Sequence, residues 1–463
     1  MAKLFTVGEI LAATGGEDRG LTADGIRSIS IDSREIEPDA LFVAIKGDRF
    51  DGHDFVAQAL EAGAAAAMVS RDRAAELGDR LIVVTDPLQG LVDLAKAARE
   101  RSRGAIVAVT GSAGKTTTKE AIRSVLAAAG ETHAAIRSFN NHWGVPLTLA
   151  RLPRTAQFGV FEIGMNHAGE ITPLTKLVRP HVAVVTTVAA AHLEFFKSVA
   201  DIARAKAEIF SGLEPGGTAL INGDHEHVGI LVDAARAVGA DVVTYGFGQN
   251  CDWRLVDVEV LAGGMSAGIM HGEDRFDLVM QVSGRHMLAN AVAALAVGVT
   301  LGVEPAVALK ALAEFTAPEG RGQAIRLGPN DKPLLLIDES YNANSASMRA
   351  ALDVFAGAEA PGGRKVLVLG DMLELGNESQ ALHRALKDAV LESGADLTFL
   401  VGPSMAALAD ALPSQGVAAH AQSVDDIAET VLDQLAYGDA IMIKGSNGMR
   451  LSKLVKTIRE RFA

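Results

Sequence analysis

The sequence predicts an α/β protein of three domains whose sheets are mainly parallel. Short runs of β-branched and apolar residues alternate with helix-length segments along most of the chain, which is typical of parallel strands joined by covering helices. This alternation pauses near residue 318 and then restarts. A chain of 463 residues is also long enough for roughly three domains of ordinary size.

The first domain, residues 1–85, is predicted to be a small α/β module. Apolar strands are expected at 41–45 and 81–84, with an alanine-rich helix at 55–63 between them. The run of alanines at 62–67 indicates tight helix packing. No G-x-G-x-x-G turn follows a strand here, so the domain has no dinucleotide signature.

The second domain, residues 86–317, is predicted to contain a mainly parallel sheet covered by helices. A turn at Asp86 and Pro87 precedes a helix at 88–103. The section 242–284 is more polar and alternates with a period of two, which predicts an antiparallel appendage. Parallel strands are expected at 106–109, 159–163, 182–188 and 218–221.

The third domain, residues 318–463, is predicted to be a Rossmann-like α/β domain. Apolar runs again alternate with helix-sized segments after the junction at 318–321. Strands are expected at 334–338, 365–369, 397–401 and 440–444.

Composition narrows the classes of partner. The 57 acidic residues exceed the 43 basic residues by 14, and no dense Lys/Arg tract is present, so we expect small-molecule substrates and no nucleic acid. Cys251 is the single cysteine, which excludes an internal disulfide and indicates a reducing cytoplasm. The N-terminus lacks a secretory pattern and no run of about 20 apolar residues occurs, so no membrane association is expected.

The segment with the clearest chemistry follows the strand at 106–109. Thr110, Gly111, Ser112, Ala113, Gly114, Lys115 and Thr116 form a glycine turn that ends in a lysine and hydroxyls. Such a turn can point backbone N–H groups at phosphates, with the lysine on the outer phosphates and the threonine hydroxyl on Mg²⁺. Val109 stands where the usual pattern has its first glycine, so the loop is a shortened variant. An ordinary strand-to-helix turn is the alternative; we predict ATP binding.

Three polar residues of the second domain are candidates for the same site. Glu162 closes an apolar run, His192 follows the strand at 182–188, and Lys206 lies in a helical segment at 201–210. Ligands of open parallel sheets collect beyond the carboxyl ends of the strands, and Mg²⁺ prefers oxygen ligands. Taken singly, Glu162 could cap a helix, His192 could be an ordinary loop histidine, and Lys206 could lie on a solvated helix face.

There are three further candidates, one late in the second domain and two in the third. Asn290 opens a helical stretch, Arg321 lies in a glycine-flanked junction, and Asp338 follows an apolar strand. An amide can read a base, a guanidinium can neutralise phosphate, and a carboxylate can hold a ribose hydroxyl. The structural alternatives are a helix cap for Asn290 and a hinge for Arg321.

These motifs resemble the Mur ligases, a family of ATP-dependent amide-forming enzymes of peptidoglycan precursor synthesis, over essentially the whole chain. The loop at 110–116 resembles the family's phosphate loop, and 205–210 resembles the segment that holds its modified lysine. Its UDP-binding N-terminal domain is resembled by three segments, 32–34, 41–47 and 51–55. Three other segments resemble the family members that add a dipeptide: 140–148, 337–344 and 370–376.

The resemblance implies a role for each candidate at the nucleotide site. Lys115 and the loop amides would hold phosphates, Thr116 and Glu162 would bind one or both of two Mg²⁺ ions, and His192 would bind the second. Lys206 would be carbamylated and so become an oxygen ligand. At the nucleotide, Asn290 would contact adenine, Arg321 phosphate and Asp338 the ribose.

The resemblance also implies the substrates. A D-alanyl-D-alanine dipeptide would be added to UDP-N-acetylmuramoyl-tripeptide through an acyl phosphate by a cytoplasmic, monomeric enzyme. Ser33 and Arg34 would lie near the uridine diphosphate, and Asn140, Asn141, Asn344 and Ser347 are further candidates for substrate binding.

Two other interpretations stay open at this point. The same chemistry could use another amino acid, as in a Mur ligase of different specificity or a relative of the folylpolyglutamate or cyanophycin type; the 32–34 module disfavours the folate type. Alternatively, the chain could bind nucleotide only to rearrange its domains. The joint presence of Lys115, Glu162, His192 and Lys206 favours catalysis.

Overall fold

A computed structural model describes residues 3–135, 138–261, 263–360 and 362–463. Four sheets follow one another along this part of the chain: a two-stranded ribbon, then sheets of five, nine and six strands. The three larger sheets are dominated by parallel pairs joined through helices, as the alternating pattern predicts. The boundaries at 85/86 and 317/318 stay predictions.

The N-terminal sheet has the order β2-β7-β6-β5-β4, with β4 to β7 parallel and β2 antiparallel at the edge. Ala66 and Ala67 belong to a buried strand, so the prediction that 62–67 reflects helix packing is wrong. The elements are β1 (Phe5–Thr6), α1 (Val7–Thr14), β2 (Glu17–Arg19), β3 (Gly25–Ile26), β4 (Ser28–Ser30), β5 (Ala40–Val43), α2 (Val56–Glu61), β6 (Ala66–Ser70), β7 (Leu81–Val84) and α3 (Pro87–Arg101).

The central sheet has the order β16-β15-β14-β13-β12-β11-β8-β10-β9. The polar section predicted as an antiparallel appendage forms β14 to β16, which pair antiparallel but continue this same sheet through the parallel pair β13 and β14. The elements are β8 (Ala105–Thr110), α4 (Lys115–Ala127), β9 (Thr132–Ala134), α5 (Gly144–Ala150), β10 (Phe158–Glu162), α6 (Ile171–Val178), β11 (Val182–Val185), α7 (Val199–Ala207), β12 (Thr218–Asn222), α8 (Val228–Ala237), β13 (Asp241–Gly246), β14 (Trp253–Leu261), β15 (Gly264–His271), β16 (Asp274–Met280), α9 (Arg285–Thr300) and α10 (Pro305–Ala313).

The strands at the middle of this sheet are apolar on both faces because helices cover both sides. In β8, Ile106 and Ala108 join one core cluster, while Val107 and Val109 join another that contains Leu295 of α9. Continuous apolar runs of this kind are expected of buried parallel strands. The carboxyl ends of β8, β10 and β11 therefore emerge side by side at one edge of the sheet.

The C-terminal sheet has the order β17-β18-β22-β19-β20-β21, with β17 antiparallel and the other pairs parallel. Alternate residues of β19 again enter two separate cores. The elements are β17 (Gln323–Leu327), β18 (Leu334–Glu339), α11 (Ser345–Ala356), β19 (Lys365–Gly370), α12 (Ser379–Arg384), α13 (Lys387–Glu392), β20 (Leu397–Val401), α14 (Ala406–Ala409), β21 (Val417–Ala421), α15 (Val424–Gln434), β22 (Ala440–Lys444) and α16 (Ser452–Arg461).

The C-terminal domain packs against the edge of the central sheet where β8, β10 and β11 end. The Asn344 amide donates to the Ser112 carbonyl at 3.1 Å, and Arg321 donates to the Ser138 hydroxyl at 3.1 Å. A third contact joins His192 to Glu374. Throughout the described part of the chain, no helix is long and apolar enough to cross a bilayer.

Candidate nucleotide and metal site

The phosphate loop connects β8 to α4 and is held by its neighbour at the end of β11. The Ser112 N–H donates to the Thr187 carbonyl at 2.8 Å, and the Ser112 hydroxyl donates to the Ala189 carbonyl at 3.0 Å. The Ala189 N–H also lies 3.0 Å from that hydroxyl oxygen. Ala189 contributes only backbone groups, so this contact does not depend on its side chain. Helix α4 begins at Lys115, so its N-terminal N–H groups face the loop.

Two glycines are required in this loop for steric reasons. Gly114 precedes α4 with a φ of 80°, and a Cβ added there would lie 2.9 Å from Asn290 Oδ1. Gly111 has a φ of 152°, and a Cβ there would lie 1.9 Å from Thr186 Oγ1. Rotating the Thr186 hydroxyl away would break the hydrogen bond that it donates to the Ala113 carbonyl at 2.5 Å.

Replacing Gly111 with alanine is therefore expected to displace Thr186 and distort the loop. We expect weaker nucleotide binding in calorimetric titrations and a loss of about 1–3 kcal/mol in the free energy of unfolding, as for other overpacked sites. Gly229→Ala is the matched control, because this glycine lies in α8 with open space around its Cβ position. Equal nucleotide affinity of the Gly111→Ala variant and the wild type would contradict the steric assignment.

A chain of hydrogen bonds links the loop to the ends of neighbouring segments. Thr116 Oγ1 donates to Glu162 Oε2 at 2.7 Å, and the Asn140 amide donates to Glu162 Oε1 at 2.7 Å. Thr116 Oγ1 also lies 2.9 Å from the Ser138 hydroxyl, which accepts from Arg321. Glu162 is buried at the end of β10 and does not cap a helix. Thr116 and Glu162, predicted as metal ligands, thus lie together with Asn140, which was predicted to bind substrate.

Two lysines lie close enough to affect each other. The Lys115 ammonium donates to the Gly111 carbonyl at 2.8 Å. Although part of the Lys115 side chain is exposed, desolvation by the surrounding protein lowers its pKa; Arg321 acts in the same direction and Glu162 in the opposite one. Lys206 is 2% exposed, so it does not lie on a solvated face. Burial, followed by the charge of Lys115, lowers the Lys206 pKa well below its ordinary value.

The Lys206 amine has no hydrogen-bond or ion-pair partner within residues 3–135, 138–261, 263–360 and 362–463. A buried lysine in this state is costly unless it is neutral or modified. The Thr110 hydroxyl, at the end of β8, is likewise buried without a partner among the described atoms. Thr110 begins the phosphate loop, and Lys206 lies close enough to Lys115 for that charge to lower its pKa, so both groups belong to the surroundings of the loop.

The donors at this edge fit a hard cation. Within the described residues, no three His, Cys, Asp or Glu side chains converge as a complete metal cage. Mg²⁺ does not need one, since it commonly uses one or two carboxylates together with substrate phosphates and water. Thr116 and Glu162 supply a hydroxyl and a carboxylate at one place, and a carbamate on Lys206 would supply a further oxygen.

The other residues predicted for the nucleotide site, His192, Asn290 and Asp338, bond to different partners. His192 contacts Glu374 and has no described contact with Glu162. Asn290 lies within α9, which begins five residues earlier, so the prediction that it opens the helix is wrong; its Oδ1 accepts from the Thr118 hydroxyl at 3.0 Å. Asp338 is buried and accepts hydrogen bonds from Gly320 N, Ser340 N and Ser340 Oγ, which organises the junction that carries Arg321.

The predicted substrate residues of the C-terminal domain form a helix cap. Asn344 Oδ1 accepts from the Ser347 N–H at 2.9 Å, and the Ser347 hydroxyl accepts from the Asn344 N–H at 3.0 Å, so the two residues form a capping box on α11. The Asn344 amide nitrogen donates to the Ser112 carbonyl. Asn344 therefore joins the C-terminal domain to the phosphate loop, and Ser347 helps to fix Asn344.

The predicted substrate residues Ser33 and Arg34 bond to residues of their own domain. The Ser33 hydroxyl donates to Gln58, and Arg34 pairs with Asp32 while remaining largely exposed. No hydrogen bond or ion pair within the described ranges joins Ser33 or Arg34 to the phosphate loop. Asn141 accepts from Trp143 N and Gly144 N and so starts α5.

Several residues of the site are missing from the sequence prediction. Ser138 bridges Arg321 and Thr116, Thr186 fixes the loop backbone, and Tyr341 carries the Arg321 guanidinium 4.1 Å above its ring. Glu374 contacts His192 from the C-terminal domain. Thr186 lies within the strand predicted at 182–188, and Tyr341 and Glu374 lie within the segments 337–344 and 370–376 that carry the family resemblance, so these three residues had a usable signal and Ser138 had none.

A parallel-sheet domain with a lysine-bearing phosphate loop, faced by a second α/β domain, defines a nucleotide-dependent P-loop protein. Three family models match the chain: "Mur ligase family, catalytic domain" at 25–101, "Mur ligase middle domain" at 109–298, and "Mur ligase, glutamate ligase domain" at 320–447. The chain belongs to the Mur ligase family.

Similar proteins match over nearly the full length. The UDP-N-acetylmuramoyl-tripeptide--D-alanyl-D-alanine ligase of Escherichia coli K12 is 36% identical over 464 residues, covering 98% of both chains. A crystal structure of MurF from Acinetobacter baumannii has a TM-score of 0.86 at 30% identity, covering 98% of this chain and 99% of that one. MurF from Thermotoga maritima in complex with ADP has a TM-score of 0.79 at 26% identity, covering 94% and 97%.

Proposed function

We propose that the protein is an ATP-dependent ligase that adds D-alanyl-D-alanine to UDP-N-acetylmuramoyl-tripeptide, forming the pentapeptide precursor of peptidoglycan. The observation that carries this proposal is a hydrogen-bonded network beside Lys115. Its members are Thr116, Glu162, Asn140, Ser138 and Arg321. It lies where the C-terminal domain meets the phosphate loop, so groups from both domains can surround one nucleotide. The full-length similarity to D-alanyl-D-alanine ligases supports the choice of acceptor.

The reaction needs an activated carboxyl group because a free carboxylate is a poor acylating agent. The terminal carboxylate of the tripeptide attacks the γ-phosphorus of ATP, the bond to ADP breaks, and an acyl phosphate forms. The amine of the dipeptide then attacks the acyl carbon, and the tetrahedral intermediate collapses to the amide with loss of inorganic phosphate and of one proton from the attacking nitrogen. Lys115 and the first N–H groups of α4 stabilise the charge on the transferred phosphoryl group.

We assign to the site residues the roles that the family resemblance implies. Thr116, Glu162, His192 and a carbamylated Lys206 would hold one or two Mg²⁺ ions, which supply electrostatic stabilisation of the phosphates when bound. Burial lowers the pKa of Lys206, which favours the neutral amine, the form that reacts with CO₂. Arg321 would neutralise phosphate, and Asn290 and Asp338 would contact the adenosine.

The larger substrate would span the N-terminal and central domains. Ser33 and Arg34 lie in the loop after β4 and would receive the uridine diphosphate. The neighbouring α5 is attached to that domain because Arg151 donates to the Ile29 carbonyl at 2.6 Å. Asn140 and Asn141 precede α5 and would receive the peptide, and Asn344 and Ser347 would border the dipeptide. We also infer that the enzyme acts as a monomer in the cytoplasm.

Phosphate release tests the proposed function directly. With Mg-ATP and UDP-N-acetylmuramoyl-tripeptide, release is expected to depend on added D-alanyl-D-alanine, and mass spectrometry of the product should give the pentapeptide mass. Turnover with another amino acid, or without any acceptor, would contradict the acceptor assignment. Nucleotide binding without any product would instead favour the regulatory alternative.

A further inference from the structure

Glu374, which the proposed mechanism does not use, forms a contact between the C-terminal and central domains. His192 Nδ1, in the central domain, lies 2.5 Å from Glu374 Oε2 of the C-terminal domain. The backbone repeats the contact, because the Glu194 N–H donates to the Glu374 carbonyl at 3.2 Å. Gly376 also packs against Glu194. The segment 372–376 thus lies directly on the loop that carries His192.

The hydrogen bond of the pair decides which ring nitrogen of His192 is left for a metal. A carboxylate accepts hydrogen bonds, so the Nδ1–H of His192 donates to Glu374, and Nε2 is the ring nitrogen that can bind a metal. Histidines that bind metals almost always donate their other ring N–H to a carboxylate, a carbonyl or water, which fixes the tautomer and the ring orientation. The pair therefore orients His192 with Nε2 as the nitrogen available to a metal.

The backbone at both residues is held in a rare conformation. His192 has a φ of 57° and Glu374 a φ of 62°, in the left-handed region that residues other than glycine seldom adopt. Such backbone positions persist where the surrounding structure fixes them and are concentrated at functional sites. Here the two residues meet each other.

The segment that presents Glu374 is anchored within its own domain. The Met372 N–H donates to His383 Nε2 at 3.0 Å, and the Leu373 N–H donates to the Ser446 hydroxyl at 2.9 Å. Asp371 accepts from the N–H groups of Ser404 and Met405. Glu374 is therefore presented by a segment that hydrogen bonds hold within the C-terminal domain.

We infer that Glu374 is a positioning residue, which orients the His192 imidazole for metal binding from across the domain boundary when the C-terminal domain is docked. This inference rests on the proposed role of His192 as a metal ligand. It follows that the metal position served by His192 is fully formed only when the C-terminal domain is docked on the central domain.

Metal binding can be measured without ligase turnover. We would titrate the full chain with Mn²⁺, in the presence of the β,γ-imido analogue of ATP, and follow free and bound Mn²⁺ by electron paramagnetic resonance. Glu374→Ala is expected to weaken the affected Mn²⁺ site about tenfold or more, as for other groups that orient metal ligands. Glu374→Gln should have a smaller effect because its amide oxygen still accepts the hydrogen bond. Glu378→Ala, an exposed neighbour, should match the wild type.

A double-mutant cycle separates positioning from an independent structural effect. If Glu374 acts through His192, adding Glu374→Ala to His192→Ala should not weaken Mn²⁺ binding further. Unchanged Mn²⁺ affinity in Glu374→Ala, or additive losses in the double variant, would overturn the inference. If His192→Ala alone left Mn²⁺ binding unchanged, the proposed role of His192 would fail and the inference with it. Formation of the pentapeptide tests the ligase function separately from all of these outcomes.

Discussion

Replacing Lys115 with alanine is expected to abolish ligation while leaving the fold intact. The ammonium lies at the start of α4, and its only described hydrogen bond is to the Gly111 carbonyl within the same loop. Few structural contacts are therefore lost. In the proposed mechanism the lost charge stabilises the transferred phosphoryl group, so we expect kcat/KM to fall by at least about 10³-fold.

The measurement is dipeptide-dependent phosphate release, with circular dichroism and thermal unfolding to confirm the fold. Lys115→Arg keeps the positive charge but has a different shape and reach, so it should also remain severely impaired. Lys96→Ala removes an exposed lysine from α3 and should behave like the wild type. Near-normal product formation by Lys115→Ala would reject the phosphate-loop assignment.

The parts of the site that the sequence predicted are those whose chemistry is local. The glycines, Lys115 and Thr116 lie within one short turn between a buried strand and a helix, and sequence spacing alone describes that turn. Glu162 was also predictable because it ends a strand that pairs with β8 in parallel. The carboxyl ends of paired parallel strands lie at the same edge.

The contacts that sequence reasoning missed join segments far apart in the chain. Ser138 meets Arg321 from 183 positions away, and His192 meets Glu374 across 182 positions. No periodicity encodes the docking of two domains. The misassigned alanines at 66–67 have a different cause: alanine favours helices intrinsically, but here it fills the buried face of a strand between neighbours that pack closely.

Lys206 shows how burial changes the meaning of a residue that looks ordinary in the sequence. On a helical pattern a lysine is normally assigned to the solvated face, yet α7 buries this one. Desolvation, reinforced by the charge of Lys115, lowers its pKa well below the ordinary value. A neutral amine is a nucleophile for CO₂, and the carbamate proposed for Lys206 would be a negatively charged oxygen ligand near Lys115. Carbamylation would thus turn a repulsive pair of lysines into an attractive one.

Lys206→Ala is therefore expected to lose nearly all ligase activity, by at least about 10²-fold, because the site loses an oxygen ligand that supports charge stabilisation on the phosphates. Formate or acetate should restore part of this activity, since the shortened side chain leaves room for a free carboxylate. Lys206→Met fills that room with an apolar chain, so it should be equally inactive and should not respond to either acid. Wild-type protein incubated with ¹³C-bicarbonate should show a carbamate signal by nuclear magnetic resonance, and both variants should lack it. Normal activity of Lys206→Met would reject the metal role, because that variant keeps the packing while removing every possibility of carbamylation.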